Sequence, residues 1–490
     1  MKTIIRIFIL FLLSQNLSAQ SPKYEVRAVW LTTLQGLDWP KTTNPDQQRR
    51  DLIRILDQYQ QANINTVLFQ TRVRGTTTYP SAIEPWEPSL STTPGKSPGY
   101  DPLQFVIDEC HKRGMECHAW IVTIPIGKTS SYGCKLLRQK FPNRIVRIGD
   151  EFYMNPEMPE TGDYIASICR EVTCRYDIDG IHLDYIRYPE TWKYTKLTRQ
   201  QARQNITSVV RKIHHAVKAE KPWVKMSCSP VGKFTDLSRY KSGGWNAYNA
   251  VCQDAQGWLR DGLMDELFPM MYFQGNNFYP FLVDWNEHSY GRIIAPGLSI
   301  YMLHPNEKNW SLDVIRREMN VLREENLGIT FFRSKFLTDN VKGIYTFTQD
   351  FNSTLSLIPP MKWTGKPAPL AATRLDVKRG MTADQLAWSG ARDNSGANYL
   401  LYNVYVSDSY PVDIDDASNL LVARQRETVL SVPHKGRTLY YAVTAVDRYG
   451  NESAPIQSNL SSDKPHRQVD FRQLIMGNSP KSLTLHPTIK

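Results

Sequence analysis

Beyond about residue 20 the chain lacks any apolar run long enough to cross a bilayer, which takes about 20 residues, so no later segment reads as a membrane span. It lacks a long Lys/Arg run as well. The formal net charge is +11, but the basic residues are scattered. That permits an anionic partner and argues against nucleic acid. The seven cysteines contain no CxxC pair and no zinc spacing. An odd number leaves at least one unpaired. Cys110, Cys169 and Cys174 fall on helical patterns and Cys117 and Cys228 on strand patterns, where cysteine acts as a small buried hydrophobe. No Gly-rich phosphate loop follows a strand, which weighs against an open dinucleotide-binding sheet. No Ser-His-Asp arrangement can be inferred. His118 and His182 are isolated, so neither a metal nor a cofactor is expected.

What is present begins with "MKTIIRIFILFLLSQNLSAQ". Lys2 and Arg6 precede an apolar run over 7–13 and a small-residue ending at Leu17-Ser18-Ala19. This reads as a secretory signal peptide over 1–19, cut near Ala19 or Gln20. Export to the periplasm or cell surface follows, with no cysteine at the cut to carry a lipid. Twelve Trp and 25 Tyr are a generous aromatic supply, and their flat faces suit sugar rings.

At 490 residues the chain should hold a large domain and a smaller one. Strand patterns at 25–31, 64–72, 116–122, 179–184, 224–229, 267–273, 293–300 and 328–332 alternate with helical stripes. One stripe is Leu52, Ile55, Leu56 and Tyr59, spaced i, i+3, i+4, i+7. Another is Leu103, Val106, Ile107 and Cys110, with Asp101 as N-cap, Pro102 in the first turn and Gly114 as the stop. Ile206, Val209, Val210, Ile213 and Val217 form a third, and Val314, Ile315, Met319 and Leu322 a fourth. Eight strand–helix units close naturally into a (β/α)₈ barrel over 24–345. A Pro-rich linker over 346–367 leads to short alternating strands over 368–460, suited to a small, independently folding β-sandwich. A polar tail fills 461–490. A monomer is expected.

Barrel active sites lie at the C-terminal strand ends. Here those ends supply Asp38, Gln70, Arg72, His118, Trp120, Asp184, Arg187, Tyr188, Tyr272 and Gln274, with Glu84 in the loop after strand 2. Carboxylates with aromatic walls suit glycoside chemistry: one carboxylic acid protonates the leaving oxygen while a second carboxylate attacks the sugar or activates water. In "DGIHLDYIRYP" (179–189), His182 and Asp184 should point into the barrel if Ile181 and Leu183 face the helices. Asp184 is then the principal catalytic carboxylate, Glu84 its expected partner and Asp38 the reserve. Gln70, Arg72, His118, Trp120, Arg187, Tyr188, Tyr272 and Gln274 are substrate-holding candidates.

"EVRAVWLTT", "INTVLFQTR", "YDPLQFVIDECHKRGMECHAW" and "YDIDGIHLDYIRYP" together resemble the glycosyl hydrolase-like family 10 barrel. The resemblance implies a (β/α)₈ fold and action on glycans. For the best-understood relatives it implies peptidoglycan strands stripped of their peptides. Relatives often continue the third strand as His-Ala-Trp-x-Asn-Pro-Tyr-Arg. Here Ile121-Val-Thr-Ile-Pro125 follows Trp120, losing the Asn and Arg, which leaves a dietary or host polysaccharide, or glycan binding without catalysis, as alternatives. Chitinase-like barrels carry D-G-x-D-x-D-W-E at strand 4. Ile186 stands where that Glu would fall, which disfavours their mechanism. "YAVTAVDRYGNES" (441–453) resembles a fibronectin type III domain.

Overall fold

The computed structural model describes residues 21–458, apart from 195–196, 239, 241–244 and 435. The expected signal peptide and the tail over 461–490 therefore lie outside the described residues. Parallel strands form a barrel: strand 1 (Arg27–Leu31), strand 2 (Thr66–Arg72), strand 3 (Glu116–Val122), strand 4 (Gly180–Asp184), strand 5 (Lys225–Cys228), strand 6 (Glu266–Leu267) and strand 8 (Ile329–Phe331). Strand 7 is split. Ile293–Ile294 pairs with strand 6, and Gly297–Leu298 pairs with strand 8, which pairs with strand 1. The two pieces of one segment thereby join both ends of the sheet.

Strands 6 and 7 are shorter than the hydrophobic pattern predicts, and proline is the reason. Pro269 and Pro296 have no N–H to give to a ladder. Pairing resumes only beyond them, where Gly297 N–H donates to the Pro269 carbonyl at 2.8 Å.

The expected helix stripes face inward. Leu52, Ile55, Leu56 and Tyr59 are buried on the helix Pro45–Gln61, capped by the Asn44 side chain. Asp101 accepts from the N–H groups of Leu103 and Gln104 and starts the helix Pro102–His111. The helix Arg199–Glu220 opens on a capping box between Thr198 and Gln201.

Within strand 4, Ile181 and Leu183 pack into the core with the surrounding helices, and His182 and Asp184 point into the barrel. Gly180 opens this strand because a side chain would not fit. A Cβ there would lie 2.6 Å from the His118 ring. The barrel interior is layered. His118 sits on the floor with Glu116 at 3.0 Å, and Lys225 Nζ reaches Glu116 at 2.6 Å. Trp30, His182 and Phe268 fill the middle in edge-to-face contacts.

After strand 3 the chain makes an excursion that periodicity did not reveal. Three four-residue strands, Pro125–Lys128, Ile145–Ile148 and Glu151–Met154, form an antiparallel sheet with the helix Tyr132–Lys140. Such short strands are too brief to leave a period-2 signal.

Two antiparallel sheets lie C-terminally. One holds Leu375–Lys378, Ala383–Trp388 and Val429–Pro433. The other holds Leu401–Ser407, Leu420–Gln425, Tyr440–Val446 and Ile456–Gln457. Trp388, Tyr402, Val404, Tyr441, Val443 and Ala445 make their shared core. The segment expected as a linker is docked rather than free. Its first part is the helix Ile344–Phe351, Leu357, Ile358 and Met361 are buried, and Trp363 donates to Asp265 at 2.9 Å. The sandwich also meets the barrel by charge, with Arg448 2.7 Å from Asp177 and 3.2 Å from Asp179.

All seven cysteines are free; Cys110, Cys117, Cys169 and Cys228 are buried as their patterns predict, whereas Cys174 is exposed.

Candidate active site

Asp184 is the last residue of strand 4. Its Oδ2 accepts from Trp120 Nε1 at 3.1 Å, and its Oδ1 accepts from Ser229 Oγ at 2.9 Å and from the Tyr185 N–H at 2.8 Å. Strands 3, 4 and 5 thus fix the carboxylate from three sides. Burial pushes its pKa above the ordinary carboxylate value, against the pull of Ser229 and the positive Arg187. Tyr185 follows in the left-handed region at φ 53°. A non-glycine residue there costs about 1 kcal/mol or more, and such strain clusters at functional sites.

Directly beneath, Trp30 Nε1 donates to His182 Nε2 at 3.1 Å, and His182 Nδ1 lies 3.0 Å from Ser227 Oγ. The Trp donor assigns the imidazole proton to Nδ1. Burial and His118 hold His182 well below its usual pKa, so it is a neutral support and not an acid.

Around the mouth stand groups from the segments that follow strands 2, 3, 4, 5, 6 and 8. Arg187 donates to Glu190 at 2.9 Å, and its guanidinium lies 4.5 Å from the Tyr185 ring and 5.2 Å from the Trp245 ring. Trp245 is 46% exposed, with the Arg187 guanidinium over its ring. The Tyr153 hydroxyl donates to Glu151 at 2.8 Å, and Arg74 approaches Glu151 at 3.5 Å. Tyr272 stacks on Phe332 at 5.4 Å. Its hydroxyl is pushed well up by burial and then by the charge of Asp184.

Of the residues picked from sequence, Asp184, Trp120 and Tyr272 gather at this mouth. Arg187 and Gln274 stand around its rim, and the rest go elsewhere, for physical reasons. Glu84 is locked to Arg72 by bonds of 2.8 and 2.7 Å and accepts from the Tyr164 hydroxyl at 2.8 Å. Both side chains of that pair are fully buried, so Glu84 does not face Asp184 across a cleft. Arg72 spends its remaining donors on the carbonyls of Val122 and Thr123. Gln70 Oε1 accepts from Thr32 Oγ1 and from the N–H groups of Thr33 and Leu34, bracing the loop after strand 1. Asp38 is held by the Thr32 N–H at 3.1 Å, by Arg333 and by the Lys335 N–H at 3.2 Å. His118 belongs to the floor. Tyr188 is buried against Trp192 and Tyr194, with its hydroxyl on Asn205. Arg187 is 2% exposed and committed to Glu190. Gln274 stands exposed at the rim.

Sequence reasoning passed over Ser229, Trp245, Glu151 and Tyr153. Ser229 had a usable signal, the end of the strand 5 pattern. The other three lie in excursions with no period.

A barrel carrying an aspartate fixed by three donors at the end of strand 4 agrees with a family model. The glycosyl hydrolase-like 10 model matches residues 25–289, more than half of the chain. The chain belongs to the glycosyl hydrolase-like 10 family. The glycosyl hydrolase YngK of Bacillus subtilis is 29% identical over 483 residues, covering 89% of this chain and 93% of that protein. The glycosyl hydrolase DigH of Escherichia coli K12 is 33% identical over 295 residues, covering 52% of this chain and 67% of DigH. This family member is accordingly a glycoside hydrolase. Among solved structures, α-L-fucosidase isoenzyme 2 from Paenibacillus thiaminolyticus aligns with a TM-score of 0.46 at 15% identity, over 67% of this chain and 50% of that one. At that distance it adds nothing to the topology already described.

Proposed function

We propose that this glycoside hydrolase is exported and cleaves peptide-free peptidoglycan strands, with Asp184 as the carboxylate at the sugar. The observation that carries the chemistry is the three-donor grip on Asp184 at the top of strand 4. Donors that hold a carboxylate in place before substrate arrives cost no reorganisation during the reaction. The exposed Trp245 face supplies a stacking surface for a pyranose ring. Family resemblance supports the substrate, and Arg74, part-exposed at the mouth, supplies a cation for the lactyl carboxylate of each muramic acid unit. The apolar, small-residue-ended N-terminus supports export. We read the C-terminal sandwich as a fibronectin type III-like module that buttresses the barrel.

One observation favours a second substrate. Ile121-Val-Thr-Ile-Pro125 and the sheet that follows replace the Asn and Arg that relatives carry beyond the third strand, so the mouth is built differently on that side. A dietary or host polysaccharide is the alternative. Incubating the enzyme with peptide-free cell-wall strands and with plant and host glycans, and reading products by mass spectrometry, decides between them. Fragments from the cell-wall strands alone support the first reading, and fragments only from the other glycans overturn it.

A further inference from the structure

We infer that Tyr272, Phe332 and Tyr301 form the platform on which the reacting sugar lies, on the side of the mouth opposite Asp184. The inference rests on the reading that places Asp184 at the sugar.

The sheet order fixes the opposition. Strand 8 is four strands from strand 4 in either direction round the closed barrel. Phe332 directly follows strand 8, Tyr272 comes from the segment after strand 6, and Tyr301 lies in the turn Ile300–Leu303 after strand 7. Contacts link the two sides without a break. Trp120 donates to Asp184 at 3.1 Å, and its ring lies 6.5 Å from His182. His182 lies 5.9 Å from Trp30, and Trp30 lies 5.8 Å from Phe332. Phe332 packs on the interior cluster that holds both tryptophans. Trp30 and His182 are thus the bottom of the mouth, with Asp184 to one side of them and Phe332 to the other.

The three rings form one wall. Tyr272 and Phe332 are stacked, 28° apart, and Tyr301 meets both edge-to-face at 5.9 and 5.8 Å. All three side chains are half-buried, so part of the wall stays open. The hydroxyls distinguish this wall from ordinary core packing. A buried tyrosine hydroxyl usually finds a partner in the protein: Tyr79 uses Glu171, Tyr164 uses Glu84 and Tyr176 uses Asp101. The Tyr272 and Tyr301 hydroxyls have no hydrogen-bond partner among the described residues. Ligand sites combine apolar walls with a few polar groups that fix orientation, and a pyranose suits this one. Its C–H face covers the apolar rings, and its hydroxyls pair with the two phenols.

The test uses the full chain with Tyr272→Phe, Tyr301→Phe and Tyr272→Leu, with melting temperatures to confirm folding. The substrate is peptide-free cell-wall strands, or the plant or host glycan that the wild type cleaves. Each Phe variant keeps its ring and loses only a hydroxyl. Tyr272→Phe should lose about fivefold in kcat/KM, the worth of one hydrogen bond. Tyr272→Leu loses the flat face as well and should fall about fiftyfold. Binding is read in the Asp184→Asn background by calorimetric titration with an oligosaccharide fragment of the same glycan, and Tyr272→Phe should weaken Kd there too. A purely structural cluster gives the opposite pattern, in which Tyr272→Leu lowers the melting temperature while both Phe variants work normally. Tyr272→Phe and Tyr301→Phe that both stay within about twofold of wild type in kcat/KM and Kd overturn the inference. If Asp184→Asn is inactive beside two normal Phe variants, the platform alone falls. If folded Asp184→Asn turns over near-fully, the reading of Asp184 fails and the platform with it. A wild type that cleaves no glycan removes both.

Discussion

Arg424 of the C-terminal sandwich reaches the floor of the barrel and pairs with Glu116 at 3.0 Å. A β-bulge aims it there. Tyr402 pairs with Gln425 and Val404 with Val422, so Ala423 and Arg424 together oppose Asn403. Arg424 takes the left-handed conformation at φ 59°, and its N–H bonds to the Asn403 side chain at 3.0 Å. Bulges re-aim side chains in this way. Arg424 also meets Asp179 at 2.8 Å, and Gly114 at the end of a barrel helix lies so close that a Cβ would fall 2.4 Å from the Ala423 carbonyl. The sandwich thus forms a plug on the barrel floor, held there by Arg424.

Removing the plug should uncover Glu116, Asp177 and Asp179 together. Taking one partner from a buried ion pair costs about 3–5 kcal/mol. Lys225 stays with Glu116 when Arg424 alone goes, so Arg424→Ala should cost less, about 2 kcal/mol. A chain ending at Pro360 should aggregate or melt far below the full-length protein. Both are read by thermal melts, and a truncated barrel as stable as the whole chain contradicts the interface described here.

Asp184→Asn should lose about a hundredfold or more in activity, because the charge acts mainly in the transition state. It should not lose stability. The folded pKa of Asp184 is raised above the ordinary 3.8, so the native carboxyl holds its proton more tightly than the unfolded one. Stability from this group is full below 3.8 and falls as pH rises through the folded value. Asparagine carries no such penalty. Melting at pH 7 should show the variant equal to or above wild type. A folded variant with near-full turnover removes Asp184 from the chemistry.

Trp245→Ala removes the open stacking face without touching the grip on Asp184. An aromatic contact is worth about 1 kcal/mol beyond its burial, so KM should rise about fivefold with kcat little changed. A fall in kcat with constant KM instead assigns Trp245, through its contact with Arg187, to the geometry of the reacting centre.

The barrel was legible because strands and helices alternate with clear caps, and Asp184 because a period of two fixes which way strand 4 points. The loop position of Glu84 says nothing of Arg72, which lies twelve residues earlier and takes both carboxylate oxygens. Arg187 pairs with Glu190, three residues further along its own loop. His118 points into the barrel as alternation predicts, but at the floor, because it lies only two residues into strand 3. Trp245 was invisible because it lies in no regular element, and Glu151 because its four-residue strand is too short to leave a period-two signal.

The last stripe shows the same limit and yields a pH prediction. Val314, Ile315, Met319 and Leu322 announce a buried face, and Glu318 stands among them at the i+3 position from Ile315 on the helix Leu312–Glu324. It is buried, and neither carboxyl oxygen has a hydrogen-bond partner among the described residues. Burial, weakly opposed by Arg317, pushes its pKa from 4.5 up to about 9. The native protein therefore binds this proton far more tightly than the unfolded chain. Stability from Glu318 is full below 4.5 and declines as pH rises toward about 9. Glu318→Met keeps a similar volume, removes the ionisable group and suits an apolar site. Its melting temperature should vary less than that of wild type between pH 5 and pH 9, with the largest gain over wild type at pH 9. If Glu318→Met is as pH-sensitive as wild type, or less stable at pH 9, the carboxyl is not held buried and protonated as described.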